Sequence, residues 1–278
     1  MDKEIPEFIY KYMTFEQFVD LVENEQLYLT NIPLWEDVYE GHAIKEFFEY
    51  INKKEDLKNK PGIKADIDFA VKCKYAQSWI LDDIGESDAM WRIYSPQKTG
   101  VRIKVKAKDI YDSIKDILNE DIEYEEKDGT KISKEKFLFF EPKFEKIIYG
   151  EHIDFSKYKY DYRHVVGDTM LAYRFYDIPF EFYKRNAFAH ENEFRFSVEL
   201  NPVNIFHNDT REIEEIVKDK NYFKPVLYYS VENSKIQEVL LDPRAPEYFE
   251  KTFNMYCEKR EFNKNKIKFE KSKLYTLE

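Results

Sequence analysis

Glu191-Asn-Glu-Phe-Arg-Phe-Ser-Val-Glu-Leu200 is the stretch that decides the fold. Polar and apolar residues alternate along it without a break, the signature of a strand with two unlike faces. Glu191, Glu193, Arg195, Ser197 and Glu199 share one side, and Phe194, Phe196, Val198 and Leu200 the other. Gly100-Val-Arg-Ile-Lys-Val-Lys106 repeats the rule, with Val101, Ile103 and Val105 opposite Arg102, Lys104 and Lys106. Strands with one apolar and one polar face belong to antiparallel sheets.

Working outward, aromatic and β-branched runs predict further strands at 8–13, 27–30, 76–81, 236–241 and 266–270. A helix is predicted after Thr14, which stands at capping-box spacing from Gln17 and precedes the apolar stripe Phe15, Phe18, Val19 and Val22. Other helices are predicted over 43–58, around Ile110, Ile114, Ile117 and Leu118, over 162–178, and over 246–259. Residues 31–41, punctuated by Pro33 and Gly41, read as a loop, and Asp128-Gly129 as a hairpin turn. No linker, repeat or low-complexity segment interrupts the pattern. The expectation is one α+β domain, 1–278, with a mostly antiparallel sheet flanked by helices and a helical and hairpin excursion at 107–150.

Composition narrows the function. A net charge of −11 opposes non-specific attraction to nucleic acid or an anionic membrane. With 22 Tyr, 23 Phe and 3 Trp, the 278 residues should fold around an aromatic core. Only 7 glycines leave no room for the Gly-rich phosphate loops of Rossmann or P-loop proteins. Cys73 and Cys257 form neither a disulfide framework nor a zinc motif, and the five histidines show no metal-binding spacing, so no metal is expected. The charged N-terminal stretch and the lack of a long apolar run point to a cytoplasmic protein without a membrane partner.

Candidate chemistry centres on Glu191-x-Glu193-x-Arg195. Paired carboxylates raise one another's pKa or stabilise a developing cation, and a neighbouring guanidinium keeps one of them ionised. The bland alternative is a solvated face of weak ion pairs. Trp91 and Tyr94 either stack on a planar ligand or fill the core. Lys11, between Tyr10 and Tyr12, either contacts an anion or guards an edge strand. Asp37 and Glu40 either orient a ribose hydroxyl or fix their loop.

Together these pieces resemble a bacterial family, domain-of-unknown-function family 2971. The pattern runs through Tyr10-Lys11-Tyr12, Leu29-Thr30-Asn31, Glu36-Asp37 to Glu40, Met90-Trp91 with Tyr94, Gly100-Val101, Lys184, Glu191-x-Glu193-x-Arg195 and Val239-Leu240-Leu241. The family's usual Asn-Asp-Pro is absent at Glu36-Asp37-Val38, and Ala189-His190 stands where an aromatic precedes the E-x-E. The order of a basic first strand and a late E-x-E strand is also similar to ADP-ribosyltransferases, in which NAD lies across a split sheet. That resemblance implies NAD as substrate, held by Lys11, Tyr12, Thr30, Ser78, Trp91, Tyr94, Arg102 and Arg195. It implies Glu193 on the ribose 2′-hydroxyl and Glu191 orienting an acceptor macromolecule, as catalytic residues. The expected role is then a toxin or phage-defence effector. A non-catalytic module sensing a nucleotide or a partner is the alternative.

Overall fold

The alternating and aromatic stretches do form the strands. In chain order they are β1 (Phe8–Met13), β2 (Gln26–Asn31), β3 (Lys74–Ile80), β4 (Val101–Lys106), β5 (Ile122–Glu125), β6 (Lys131–Lys134), β7 (Lys143–Lys146) and β8 (Ile148–Tyr149). There follow β9 (Asp161–His164), β10 (Leu171–Arg174), β11 (Tyr183–Lys184), β12 (Glu193–Glu199), β13 (Val226–Ser230), β14 (Ile236–Leu241) and β15 (Lys268–Lys271). The helices are α1 (Phe15–Asn24), α2 (His42–Glu55), α3 (Ile63–Lys72), α4 (Asp88–Tyr94) and α5 (Ala107–Asp116), then a short one at Ile213–Lys218 and a C-terminal one at Glu247–Lys259. The structure is a computed structural model that describes residues 4–35, 37, 39–40, 42–55, 63–81, 85–117, 122–125, 131–134, 141–157, 161–164, 171–174, 180–200 and 212–276.

Helix α1 begins where its cap dictates. Thr14 Oγ1 accepts from the Gln17 N–H at 3.2 Å and Gln17 Oε1 accepts from the Thr14 N–H at 3.0 Å, which satisfies two of the orphan donors of a helix start. It stops at Glu25, whose φ of 49° is left-handed. Phe18, Leu21 and Val22 are buried against the sheet. The apolar faces of β4 and β12 meet in the same core, where Val101, Ile103 and Val105 join Phe194, Phe196 and Val198.

The main sheet runs β13-β2-β3-β1-β4-β14-β15, antiparallel except for β14 with β15. One edge of β3 is occupied along its whole length by β12, from Glu193 opposite Ile80 to Glu199 opposite Lys74, and β7 pairs beyond β12. Two strands share the other edge: β2 pairs at Tyr75 and Ala76, and β1 at Ile80. Between those contacts, Gln77, Ser78 and Trp79 have no strand partner on that side among the described residues, so the sheet is split. Backbone groups stranded away from water need partners, and side chains supply two of them across the gap. Lys11 Nζ donates to the Ser78 carbonyl at 3.0 Å, and Gln77 Nε2 donates to the Tyr28 carbonyl at 2.9 Å.

Late residues hold α4 in place. Arg244 Nη2 donates to the carbonyls of Trp91 at 2.8 Å and Ser95 at 2.9 Å, with its guanidinium fixed by the buried Asp242. Ser272 Oγ donates to Glu86, which also accepts from Trp91 Nε1, and the Tyr275 hydroxyl donates to Asp88.

Several sequence expectations need correction. Where a helix was predicted over 162–178, the described residues form two strands paired antiparallel, with Leu171 opposite His164 and Arg174 opposite Asp161. In the sequence Val165-Val-Gly-Asp-Thr169 stands between these strands, and its β-branched residues and Gly-Asp pair are strand and turn signals that compete with the helical spacing. Residues 165–170 and 175–178 lie outside the described residues. Glu191 is not on the strand: it ends a 3₁₀ turn at Asn186–Glu191, and Asn192, with φ 46°, re-aims the chain before β12 begins. The polar face of β12 is not solvated, since Glu193, Arg195 and Ser197 are all buried. In the excursion, β5 and β6 pair antiparallel and β7 returns to the main sheet; the expected Asp128-Gly129 turn lies outside the described residues. No helix among the described residues is long and apolar enough to cross a membrane.

Candidate functional site

Where β1 and β2 part along β3, a cavity of about 590 Å³ opens, a size suited to a small-molecule ligand. Lys11, Tyr12, Thr30, Ser78, Tyr94, Glu193 and Arg195 are all in its wall. Three further candidates are not. Trp91 is fully buried edge-on to Tyr12, with ring centroids 4.8 Å apart, in a small cluster with Met90 and Leu240. Arg102 lies 3.6 Å from Glu238 and under the Tyr10 ring, beside a side pocket that also takes Glu191. That side pocket shares Tyr10, Tyr12 and Ile80 with the main cavity.

Arg195 organises the floor. Nε donates to Ser78 Oγ at 3.1 Å, Nη1 to Glu40 at 3.0 Å and the Glu181 carbonyl at 2.7 Å, and Nη2 to Glu40 at 3.2 Å and Glu193 at 2.8 Å. All five donors of the guanidinium are thus engaged by the protein. Trp35 stacks over it at 4.5 Å, and the residue is 1% exposed. In this arrangement Arg195 orders carboxylates. The pair with Glu40 is bidentate, the strongest geometry available to a guanidinium.

Sequence reasoning missed Lys184 and Glu40 as parts of this cluster. Lys184, on the two-residue strand β11, donates to Glu191 at 2.9 Å and to Glu193 at 2.6 Å, and lies 3.7 Å from Glu40. No periodicity marks a two-residue strand; the seven-residue spacing from Lys184 to Glu191 was visible only as part of a family pattern. Asp37, three residues before Glu40, pairs with Arg185 at 3.0 Å, and the Tyr39 ring stacks on the same guanidinium. The loop is therefore fastened on both sides of the cluster.

Electrostatics then separate the two glutamates. Burial raises the Glu191 carboxyl to about 7, and a hydrogen bond with Glu193 reinforces the shift against the pull of Lys184. Burial would raise Glu193 as well, but the hydrogen bond from Glu191 and the charges of Arg195 and Lys184 hold it well below the usual carboxylate range. Two hydrogen-bonded carboxyl groups share one proton, and here it resides on Glu191. Lys11 differs from both other cations of the wall: burial of its ammonium lowers it to about 8, with Glu193 pulling it back up. Among the described residues no group of histidines, cysteines and carboxylates is arranged to hold a metal.

The Glu191 shift predicts a pH dependence. Its folded pKa exceeds the ordinary 4.5, so folding takes up a proton between about 4.5 and 7, and the Glu191 contribution to stability falls as pH rises through that window. Glu191→Gln, which keeps a hydrogen-bond donor for Glu193, should raise the urea midpoint above pH 7 and leave it unchanged near pH 4.5. Parallel curves for the two proteins across that range would show that Glu191 does not hold the proton.

Residues 90–196 match the family described as "Protein of unknown function (DUF2971)". The matched stretch runs from α4 to β12 and carries Tyr94, Lys184, Glu191, Glu193 and Arg195, while Lys11, Glu40 and Ser78 lie before it. No curated protein matches the chain, and no solved structure does.

Proposed function

We propose that the split-sheet cavity binds a nucleotide and that Glu193 promotes cleavage of its N-ribosyl bond, with NAD as the substrate and an ADP-ribosyl group transferred to water or an acceptor. The observation that carries this reading is a carboxylate held ionised in the cavity wall by two cations, Lys184 at 2.6 Å and Arg195 at 2.8 Å. As an N-ribosyl bond breaks, positive charge grows on the sugar, and a fixed anion beside it stabilises that state more than the ground state. Glu193 needs no reorganisation to do so, since its partners are in place before the ligand arrives. Glu191, titrating near neutrality behind it, exchanges the proton that an attacking hydroxyl must lose. Lys11 adds donors for an anionic group of the ligand at the end of the cavity where β1 and β3 meet.

Nicotinamide release from NAD, followed by chromatography with and without a lysate as acceptor source, tests the proposal. Steady release that depends on Glu193 supports it. Tight binding of NAD or ADP-ribose in calorimetry without release would favour the sensing module, and neither binding nor release would overturn both readings.

A further inference from the structure

Three cations face the split-sheet cavity, and two of them are locked in ion pairs. Lys184 sits among Glu40, Glu191 and Glu193, and Arg195 between Glu40 and Glu193. Lys11 is different. Among the described residues no carboxylate comes within ion-pair distance of its Nζ, which makes a single hydrogen bond to the Ser78 carbonyl and lies 5.5 Å from the Trp79 ring. Position in the fold explains this. The side chain leaves β1 and crosses the gap that β2 leaves open along β3, so it satisfies an orphan carbonyl where a strand would otherwise stand.

We propose that Lys11 is a nucleophilic amine that captures the open-chain aldehyde of a sugar in this cavity as a Schiff base. A partly buried ammonium with no carboxylate at ion-pair distance gives up its proton more readily than an exposed one, and such lysines form imines with carbonyl compounds. The lowering of Lys11 to about 8 agrees with that geometry. An amine titrating there is free in roughly one molecule in ten at neutral pH, against fewer than about one in a thousand for an ordinary lysine.

The rest of the wall selects the carbonyl. Gln17, Gln26 and Thr30 line it together with the carboxylates of Glu16 and Asp20, groups that exchange hydrogen bonds with hydroxyls. A polyhydroxylated aldehyde suits such a lining. In the reaction the free amine nitrogen attacks the aldehyde carbon, a C–N bond forms, and the carbonyl oxygen departs as water with the two protons of the amine. No oxidant or reductant takes part. The inference does not require NAD as substrate, although a ribosyl product released here would present this aldehyde in its open form.

The test supplies the sugar directly. Wild-type protein is incubated with D-ribose at neutral pH, the imine is reduced with cyanoborohydride, and peptide mass spectrometry reads the rate at each lysine. Lys11 should be labelled at least about tenfold faster than the exposed Lys108 and Lys264. Lys11→Arg should abolish the fast phase at an unchanged melting temperature. Labelling of Lys11 no faster than Lys108, or a fast phase surviving in the arginine variant, would overturn the proposal. Because ribose is added as such, slow labelling alongside steady nicotinamide release would sink this inference alone, and fast labelling without release would sink the NAD reading alone.

Discussion

Arg195→Ala should lower the stability of the folded chain by about 3–5 kcal/mol, because the variant leaves buried carboxylates without their counter-charge. Glu40 loses both of its guanidinium bonds and Glu193 loses one of its two cations, and both carboxylates are buried. The Glu181 carbonyl and Ser78 Oγ lose a donor at the same time. Urea denaturation monitored by tryptophan fluorescence measures the loss. Glu40→Gln combined with Arg195→Met should recover part of it, since removing both charges removes the desolvation penalty of the survivor. A loss under about 1 kcal/mol in the single variant would mean that the cluster is open to solvent.

Glu193→Gln should reduce nicotinamide release by about 10² or more in kcat/KM, the size of effect seen when a preorganised charge is removed from the reacting centre. The amide keeps the shape and a hydrogen-bond acceptor for Lys184 or Arg195 but not the charge that the developing cation requires. Since Glu193 is buried between two cations, this variant should also lose stability, unlike an exposed ion-pair residue, so turnover must be normalised to folded protein. Glu199→Gln is the control. Glu199 lies on the same strand face, roughly 20 Å away at ~3.3 Å per residue, and pairs with Lys74 at 2.7 Å. Equal losses of turnover in the two variants would remove Glu193 from the chemistry.

How far the sequence could be read follows from the range of each interaction. β4 and β12 were legible because alternation is a local record of which side of a sheet is apolar. Alternation does not say what covers the polar side, so the burial of Glu193, Arg195 and Ser197 was not visible. Nor could period 2 reveal that Asn192 turns left-handed and takes Glu191 off the strand. Glu40 reaches Arg195 across 155 positions, a distance at which a single chain carries no signal. Trp91 and Tyr94 looked alike as neighbouring aromatics, yet Trp91 is fully buried and Tyr94 is in the cavity wall. The split itself depends on the registers of β1 and β2 against β3, which only the assembled sheet possesses.

The fastening of α4 by residues 242–275 has a consequence for the order in which the site is made. A growing chain releases its residues from the N-terminal end, a few each second. By the time β12 emerges, Lys11, Ser78 and Glu193 are all available to form the floor, but Tyr94 hangs on a helix whose anchors, Arg244, Ser272 and Tyr275, have not yet been synthesised. The ribosome therefore carries a nascent chain with an unfinished wall, and the pocket closes only when translation has passed Tyr275.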